Sequence, residues 1–319
     1  MRLRLVREHT KVDFFKSWKI WVGASTVLVV LSIVSTLAMG LNFGIDFKGG
    51  TTIRTESSTA VDIASYRTAI EPLGLGDISI AEVFDPSFRD DQYVAQIRIQ
   101  AQEGQESIAS DIVLRVEAAL QVIVPGISFP SVESVGPKVS GELIQSAALA
   151  VVIAITVVLI YIWLRFEWQF AIGAVGALVH DIILTIGVFS ALQIKFDLAI
   201  IAALLTIVGY SLNDTVVVFD RVRENLRRYK KKDLAEVLNL SINETLSRTV
   251  MTSVTTLLAL VSLFILGGDV IRGFVFAMIW GVLIGTYSSI CLAVPVLLYM
   301  KIERRSSSGN NEGEGAAAE

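Results

Sequence analysis

The chain has 319 residues, of which 53% are hydrophobic and 18% charged, whereas soluble globular domains contain about 45–50% apolar and about 25% charged residues. With a mean hydropathy of +0.62 and its apolar residues gathered into long runs, the composition excludes an ordinary water-soluble protein. The net charge of −4 argues against nucleic acid as a general partner, and one cysteine with two histidines excludes a disulfide framework and a Cys- or His-rich metal site.

Six apolar runs are long enough to be membrane spans, since the hydrocarbon core of a bilayer requires roughly 20 mainly apolar helical residues. The last run is also long enough for a tilted helix or for a bend near Pro295. The sequence therefore predicts a membrane α-helical fold with six transmembrane helices. These predicted spans are residues 19–41, 142–164, 168–192, 197–220, 247–266 and 270–300.

Basic residues indicate how the spans are oriented. Lys and Arg concentrate in residues 1–18, in residues 221–246 and just after the last span, whereas the short alternate loops contain Lys195 alone. Under the positive-inside rule, both termini are predicted to be cytoplasmic. Residues 221–246 are predicted to form a cytoplasmic amphipathic segment. Residues 301–319, which are rich in Ser, Gly, Asn, Glu and Ala, are predicted to form a disordered cytoplasmic tail.

The same rule places residues 42–141 outside the cytoplasm, as a periplasmic domain. Apolar and polar side chains alternate over residues 93–100, as in a half-buried strand, and apolar residues recur at every fourth position over residues 108–120, as in an amphipathic helix. The order strand, helix, strand, strand, helix, strand predicts a small ferredoxin-like α+β domain. The remaining signals are strands near 51–56, 78–84 and 131–135 and a helix near 60–70.

The fourth predicted span contains an acidic residue, Asp214, preceded by the polar residues Tyr210, Ser211 and Asn213. A charge at the bilayer centre costs roughly 2.5–3.5 kcal/mol on insertion scales, so a carboxylate there is expected to face the bundle interior or a hydrated path. The alternative is that Asp214 lies at the cytoplasmic interface, because it is about 24 Å along the predicted helix. We favour a functional carboxylate within the membrane.

Arg248 begins the fifth predicted span and shares a helical face with Thr252. A guanidinium at that position is expected to pair with Asp214, and its departure would allow the carboxylate to take up a proton. The alternative is an arginine whose side chain reaches the anionic cytoplasmic leaflet.

His180 and Asp181 lie midway along the third predicted span, between apolar residues. Two titratable groups at that depth are candidates for a proton path, because the pKa of histidine is accessible near neutral pH. The alternative is a structural pair that holds helices together.

Glycines cluster immediately after the first span, in the motif that contains Gly44, Asp46, Gly49 and Gly50. Glycine adopts backbone conformations that other residues avoid, which suits a junction between a membrane helix and a moving domain. A plain tight turn explains the same residues, and the two interpretations are compatible.

Several blocks along the chain resemble conserved blocks of the SecD/SecF family of the RND superfamily. They occur in the expected order and spacing, and together they extend over most of the chain. The single domain of about 100 residues between the first two spans resembles that of the SecF branch. The blocks are LNFGIDFKGGT at 41–51, VESVGPKV at 132–139, ALVHD at 177–181, VGYSLNDT at 208–215, DRVREN at 220–225 and SRT at 247–249.

The resemblance implies a non-enzymatic subunit of the Sec preprotein translocase, multi-pass in the bacterial inner membrane. It implies SecD as the six-helix partner, work beside the SecYEG channel, and YajC and YidC as associates. It also implies a proton-conducting role for Asp214 and Arg248, with protons as the coupling ion and no cofactor. The proton motive force would then drive movements of periplasmic domains that act on an emerging preprotein.

Three other functions compete with this interpretation. An RND exporter of lipids or small molecules normally has twelve spans in one chain. An intramembrane hydrolase using Ser211 or His180 lacks a zinc motif and a nucleophile elbow. A purely structural translocase subunit is the remaining alternative, if SecD alone conducts protons.

Overall fold

A computed structural model describes residues 10–75, 78–85, 88–89, 91–100 and 110–300. The predicted tail at 301–319 and the first nine residues lie outside this part of the chain. The helices are α1 (Trp18–Met39), α2 (Ile45–Lys48), α3 (Ile63–Ile70), α4 (Ser110–Ile123), α5 (Pro137–Arg165), α6 (Trp168–Ala191), α7 (Leu198–Arg228), α8 (Leu234–Leu266), α9 (Gly268–Ser288) and α10 (Val294–Tyr299). The strands are β1 (Gly50–Ser57), β2 (Ile78–Val83), β3 (Tyr93–Gln100) and β4 (Ser128–Val135).

Six helical segments within the described residues are long and apolar enough to cross a membrane, as the sequence predicts. They are α1, α5, α6, α7, α8 and the composite of α9 and α10. Helix α6 and the α9–α10 composite lie mostly inside the bundle, whereas α1, α5 and α8 turn most of their side chains outwards. The bundle therefore has an inner layer formed by α6, α7 and α9.

Helices α7 and α8 extend furthest beyond the predicted spans. Helix α7 continues to Arg228, and α8 begins at Leu234, well before the predicted start at residue 247. The carboxylate of Asp233 accepts a hydrogen bond from the Ala235 amide, and this N-cap starts α8 within the predicted amphipathic segment. That segment is thus the end of one spanning helix and the beginning of the next.

Small residues allow the inner helices to approach closely. A Cβ at Gly281 would lie 2.3 Å from a side-chain carbon of Ile207, and a Cβ at Gly285 would lie 3.0 Å from Ser211 Cβ. Helix α9 therefore presents a glycine face to α7, as small residues four apart do in membrane bundles.

The domain between α1 and α5 has the ferredoxin-like topology predicted from its pattern. Its four strands are antiparallel and lie in the order β2-β3-β1-β4. Apolar side chains from α3, α4 and one sheet face form a separate core, which includes Ile53, Ile97 and Leu120. Strand β1 is paired on both sides, so the chain enters the domain through an internal strand of the sheet.

Candidate functional site

A buried polar cluster lies where α6, α7 and α9 meet. The side chain of Asp181 on α6 is 1% exposed. Its Oδ2 accepts hydrogen bonds from Ser211 Oγ of α7 at 2.7 Å and from Ser288 Oγ of α9 at 2.8 Å. One carboxylate thus joins the three inner helices of the bundle.

The other oxygen of Asp181 is bonded to the preceding residue. His180 Nδ1 lies 3.0 Å from Asp181 Oδ1, and because a carboxylate can only accept, the imidazole donates through Nδ1. His180 Nε2 is the other ring nitrogen. It is buried and has no hydrogen-bond partner among the described residues.

Tyr287 connects this cluster to the outer helix α1. Its ring lies 6.4 Å from the His180 ring, centroid to centroid. The Tyr287 hydroxyl donates to the Trp21 carbonyl at 2.9 Å and lies 2.8 Å from Ser25 Oγ, which therefore acts as the donor in that second bond. Polar groups thus extend from the centre of the bundle to its α1 side.

Asp214 lies on α7, close to this cluster but outside its hydrogen bonds. Its side chain is 3% exposed, and its Oδ2 has no hydrogen-bond partner in the part of the chain that the structure describes. Asp181 is near the middle of α6 and touches Ser211, so Asp214 lies three residues, about 4.5 Å, from that level along α7. The carboxylate is therefore inside the bundle and not at its end.

Arg248 does not form the expected ion pair with Asp214. Among the salt bridges of the described residues, none joins Arg248 to Asp214, so no nitrogen of Arg248 lies within 4.0 Å of that carboxylate. The Arg248 side chain is exposed on α8. The predicted direct pairing is thus wrong for this conformation, because the exposed side of α8 carries the guanidinium.

The predicted supporting residues divide into two groups. Ser211 is part of the Asp181 cluster, and Tyr210 is half-buried with a hydroxyl that has no partner among the described residues. Asn213 is exposed, and Thr252 Oγ1 donates to the Thr249 carbonyl of its own helix. Neither of these last two side chains contacts Asp181 or Asp214 through a hydrogen bond.

Ser288 was not predicted as a site residue, although it completes the Asp181 cluster. The only sequence signal is a pair of serines, Ser288 and Ser289, inside an apolar run. They mark a change of helix type, because Ser289–Ala293 is a single π-helical turn. Such turns are frequent at functional sites. A Cβ at Gly173 of α6 would lie 2.9 Å from the Ala293 carbonyl, so α6 packs directly against this turn.

The glycine motif lies at the other end of α7, away from the carboxylates. Gly49 and Gly50 have φ angles of 73° and 133°, which a side chain disfavours, and they lead the chain from α2 into β1. A Cβ at Gly44 would lie 2.8 Å from Lys195 Cε, the mobile end of a flexible side chain that can move aside. The carboxylate of Asp46 accepts a hydrogen bond from the Leu198 amide at 3.1 Å.

No group of three or more His, Cys, Asp or Glu side chains is placed to hold a metal ion within the described ranges. The Asp181 and Asp214 sites contain two carboxylates, an imidazole with one nitrogen that has no hydrogen-bond partner among the described residues, and several hydroxyls. These groups can accept, hold and release protons.

A six-helix bundle with titratable groups in its centre, and a ferredoxin-like domain after the first helix, defines a multi-pass membrane protein. Residues 115–303 match the family described as protein export membrane protein SecD/SecF, C-terminal, and residues 34–61 match the SecD/SecF GG motif.

Named relatives agree with the family matches. The chain is 61% identical over 303 residues to the protein translocase subunit SecF of Cereibacter sphaeroides, covering 95% of this chain and 94% of the relative. It is 59% identical over 309 residues to the SecF of Rhodobacter capsulatus, covering 95% and 93%. The chain therefore belongs to the SecD/SecF family, in which it corresponds to the SecF subunit of the protein translocase.

Solved structures show the same fold. SecDF of Thermus thermophilus, described as a translocon-associated membrane protein, superposes with a TM-score of 0.80 at 32% identity, covering 94% of this chain and 40% of that chain. SecDF in a super-membrane-facing form superposes with a TM-score of 0.68 at 34% identity, covering 93% and 39%. This chain thus spans about two fifths of each SecDF chain. Its function is that of a transport accessory component in protein translocation, and SecD is its partner.

Proposed function

We propose that this subunit uses the proton motive force to promote preprotein export across the bacterial inner membrane. Asp214 is the group that binds and releases the proton. The observation that carries this proposal is a carboxylate 3% exposed at the level of the bundle interior, with one oxygen that lacks any donor among the described residues. A buried carboxylate without a donor is costly when charged, and protonation removes most of that cost.

The surroundings of the two carboxylates support Asp214 as the proton carrier over Asp181. Asp181 is surrounded by donors from His180, Ser211 and Ser288, so its charge is compensated at a fixed position. Asp214 has no such set of donors, so its protonation state controls how α7 packs. Moving one charge through 100 mV is worth roughly 2.3 kcal/mol, which shifts a two-state equilibrium more than tenfold.

Arg248 has a role in this cycle without being bonded to Asp214 here. Its side chain lies in an exposed position on α8, a helix that packs against α7. Approach of the guanidinium would stabilise the carboxylate, and its withdrawal would favour protonation. His180 Nε2 is proposed as a second proton acceptor, on the ring that is bonded to Asp181 Oδ1.

The SecD-type partner is proposed to cover the polar outer surface of α7 and α8. Thr206 and Asn213 on α7, with Arg248, Thr255 and Ser262 on α8, are exposed to the bundle exterior. Polar side chains are unfavourable against lipid tails and favourable between helices. A second six-helix subunit on this surface would also exclude lipid from Arg248.

The remaining partners are proposed from the resemblance to the family, and the orientation is proposed from the basic residues. The SecYEG channel is the proposed site of action, with YajC and YidC as associates. Both termini and the Arg221–Glu224 end of α7 are proposed to be cytoplasmic, because Lys and Arg concentrate there. The ferredoxin-like domain would then face the periplasm, where a preprotein emerges.

Replacing Asp214 with Asn tests the proposal. Vesicles that contain the full chain, its SecD-type partner and the channel are assayed for preprotein export with and without a proton gradient. We expect Asp214→Asn to abolish the stimulation by the gradient and to leave gradient-independent export intact. The matched control is Asp220→Asn on the same helix, whose carboxylate is 61% exposed and 3.4 Å from Arg165. Equal stimulation in Asp214→Asn and the parent would favour a non-conducting structural subunit.

A further inference from the structure

The segment between α1 and β1 is bound to the turn between α6 and α7. Phe43 and Phe196 form a parallel β-bridge, in which the Gly44 amide donates to the Phe196 carbonyl at 2.8 Å. The Phe196 amide donates to the Asn42 carbonyl at 2.8 Å, and Asn42 Nδ2 donates to the Gln193 carbonyl at 2.9 Å. The first two of these hydrogen bonds join backbone groups on both sides, so the docking fixes the path of the chain and not only a side chain.

Asp46 holds the first turn of α7. The first amides of a helix lack partners within the helix, and a side chain from the preceding residue usually accepts from them. Asp197 occupies that N-cap position, yet its side chain makes no capping hydrogen bond. The carboxylate of Asp46 accepts from the Leu198 amide instead. A residue from the domain junction therefore replaces the cap of α7, at the end of the dipole that favours an anion.

Apolar packing and charge strengthen the same contact. The Phe43 ring lies 5.6 Å from Phe47 and 6.0 Å from Phe196, centroid to centroid. Burial lowers the pKa of Arg98 on β3, and the carboxylates of Asp197 and Asp46 act in the opposite direction. The domain, the junction and the α6–α7 turn thus share one cluster of aromatic and charged groups.

We infer that residues 42–48 form a clamp on the start of α7, which carries displacements of α7 into the domain, with Asp46 as its positioning residue. This inference rests on the proposed function, in which the state of Asp214 changes the packing of α7. The clamp leads within two residues into β1, which is paired with both β3 and β4. A movement delivered to an internal strand moves the whole sheet.

The competing possibility is a flexible hinge, in which the junction separates from α7 during transport. The two differ in what a covalent lock does. A clamp works with its contact permanently closed, because the junction and the start of α7 move together. A hinge stops when the contact is locked.

The first experiment weakens the clamp. Asp46→Ala removes the acceptor for the Leu198 amide, whereas Asp46→Asn retains an oxygen that can accept the same bond. In the vesicles described above, we expect Asp46→Ala to lower gradient-stimulated export at least fivefold while proton uptake remains within twofold of the parent. Asp46→Asn is expected to restore most of the export.

The matched control is Asp62→Ala, which removes the N-cap of α3 in the same domain and leaves α7 untouched. This variant is expected to export like the parent. Equal export by Asp46→Ala and the parent would overturn the clamp. Loss of proton uptake together with export in Asp46→Ala would also overturn it, because Asp46 would then act on the proton site or on folding.

The second experiment locks the contact. A Cβ built on Gly44 lies 3.3 Å from Asp197 Cβ. The Cβ atoms of a disulfide are about 3.5–4.5 Å apart, so cysteines at these two positions are close enough to be cross-linked. Gly44→Cys and Asp197→Cys are combined with Cys291→Ser, and each single variant serves as control. After oxidation with diamide, we expect export within twofold of the reduced protein. A block that a thiol reductant reverses would establish a hinge and overturn the clamp.

Different variants test the clamp and the proposed function, so either can fail without the other. The proposed function fails if Asp214→Asn, with an intact junction, retains gradient-stimulated export. The clamp fails if, with an intact Asp214, Asp46→Ala exports like the parent or loses proton uptake together with export. It also fails if the oxidised cross-link reversibly blocks export.

Discussion

Asp181 and Asp214 are carboxylates on neighbouring helices of one bundle, and their surroundings are opposite. Asp181 is bonded to groups from three helices, whereas an oxygen of Asp214 has no partner among the described residues. The first arrangement fixes helices in place, and the second leaves a charge whose cost changes with protonation. A carboxylate buried in a membrane bundle therefore has either a structural role or a role in proton transfer. The hydrogen-bond donors around it distinguish the two roles.

Replacing Asp181 is expected to cause the largest loss of stability in the bundle. Asp181→Ala is expected to lower the free energy of unfolding by about 3 kcal/mol, because His180 and Ser211 lose a buried partner. Ser288 keeps a second acceptor, the Gly285 carbonyl at 3.2 Å. Thermal unfolding in detergent measures the change, with Asp220→Ala as the exposed control. An unchanged unfolding temperature would remove the structural role assigned to Asp181.

A smaller effect is expected from the contact between α7 and α9, on which the Asp181 cluster depends. A Cβ at Gly281 would overlap the side chain of Ile207, so Gly281→Ala is expected to cost about 2 kcal/mol through overpacking. Gly176→Ala on α6 is the matched control, because nothing lies within 4 Å of its added Cβ. Equal stability of the two variants in detergent would show that α7 and α9 need not approach so closely.

The smallest of these effects concerns Ser288, the site residue that was not predicted. Ser288→Ala removes one donor from Asp181 and is expected to cost about 1 kcal/mol, the usual net value of a hydrogen bond. Ser262→Ala, whose hydroxyl donates to its own helix and is exposed, is expected to change nothing measurable. A larger loss of stability in Ser262→Ala would contradict the assignment of Ser288 to the Asp181 cluster.

Much of the fold follows from local patterns in the sequence. The six apolar runs predict the six spanning helices, and alternation over residues 93–100 with a helical pattern before and after it predicts the ferredoxin-like order. His180, Asp181 and Asp214 are recognisable because charged and titratable residues inside apolar runs are costly. Each of these signals depends on residues close together in the chain.

The parts that could not be predicted depend on how helices rotate against one another. The distance between Asp214 and Arg248 depends on how α8 is rotated about its own axis. The sequence of α8 does not predict that rotation, because its threonines lie on several sides of an otherwise apolar helix. Ser288 resembles any serine in a membrane helix until α9 is placed beside Asp181. The docking of Asp46 on Leu198 joins positions 152 residues apart, which no local pattern encodes.

Asp214 is proposed to carry a proton without holding the bundle together. The most direct test measures proton uptake and thermal unfolding of Asp214→Asn in the same preparation of the complex, with Asp181→Asn beside it. We expect Asp214→Asn to lose gradient-driven proton uptake while its free energy of unfolding changes by less than about 1 kcal/mol. Proton uptake equal to that of the parent, or a loss of stability as large as that of Asp181→Asn, would contradict it.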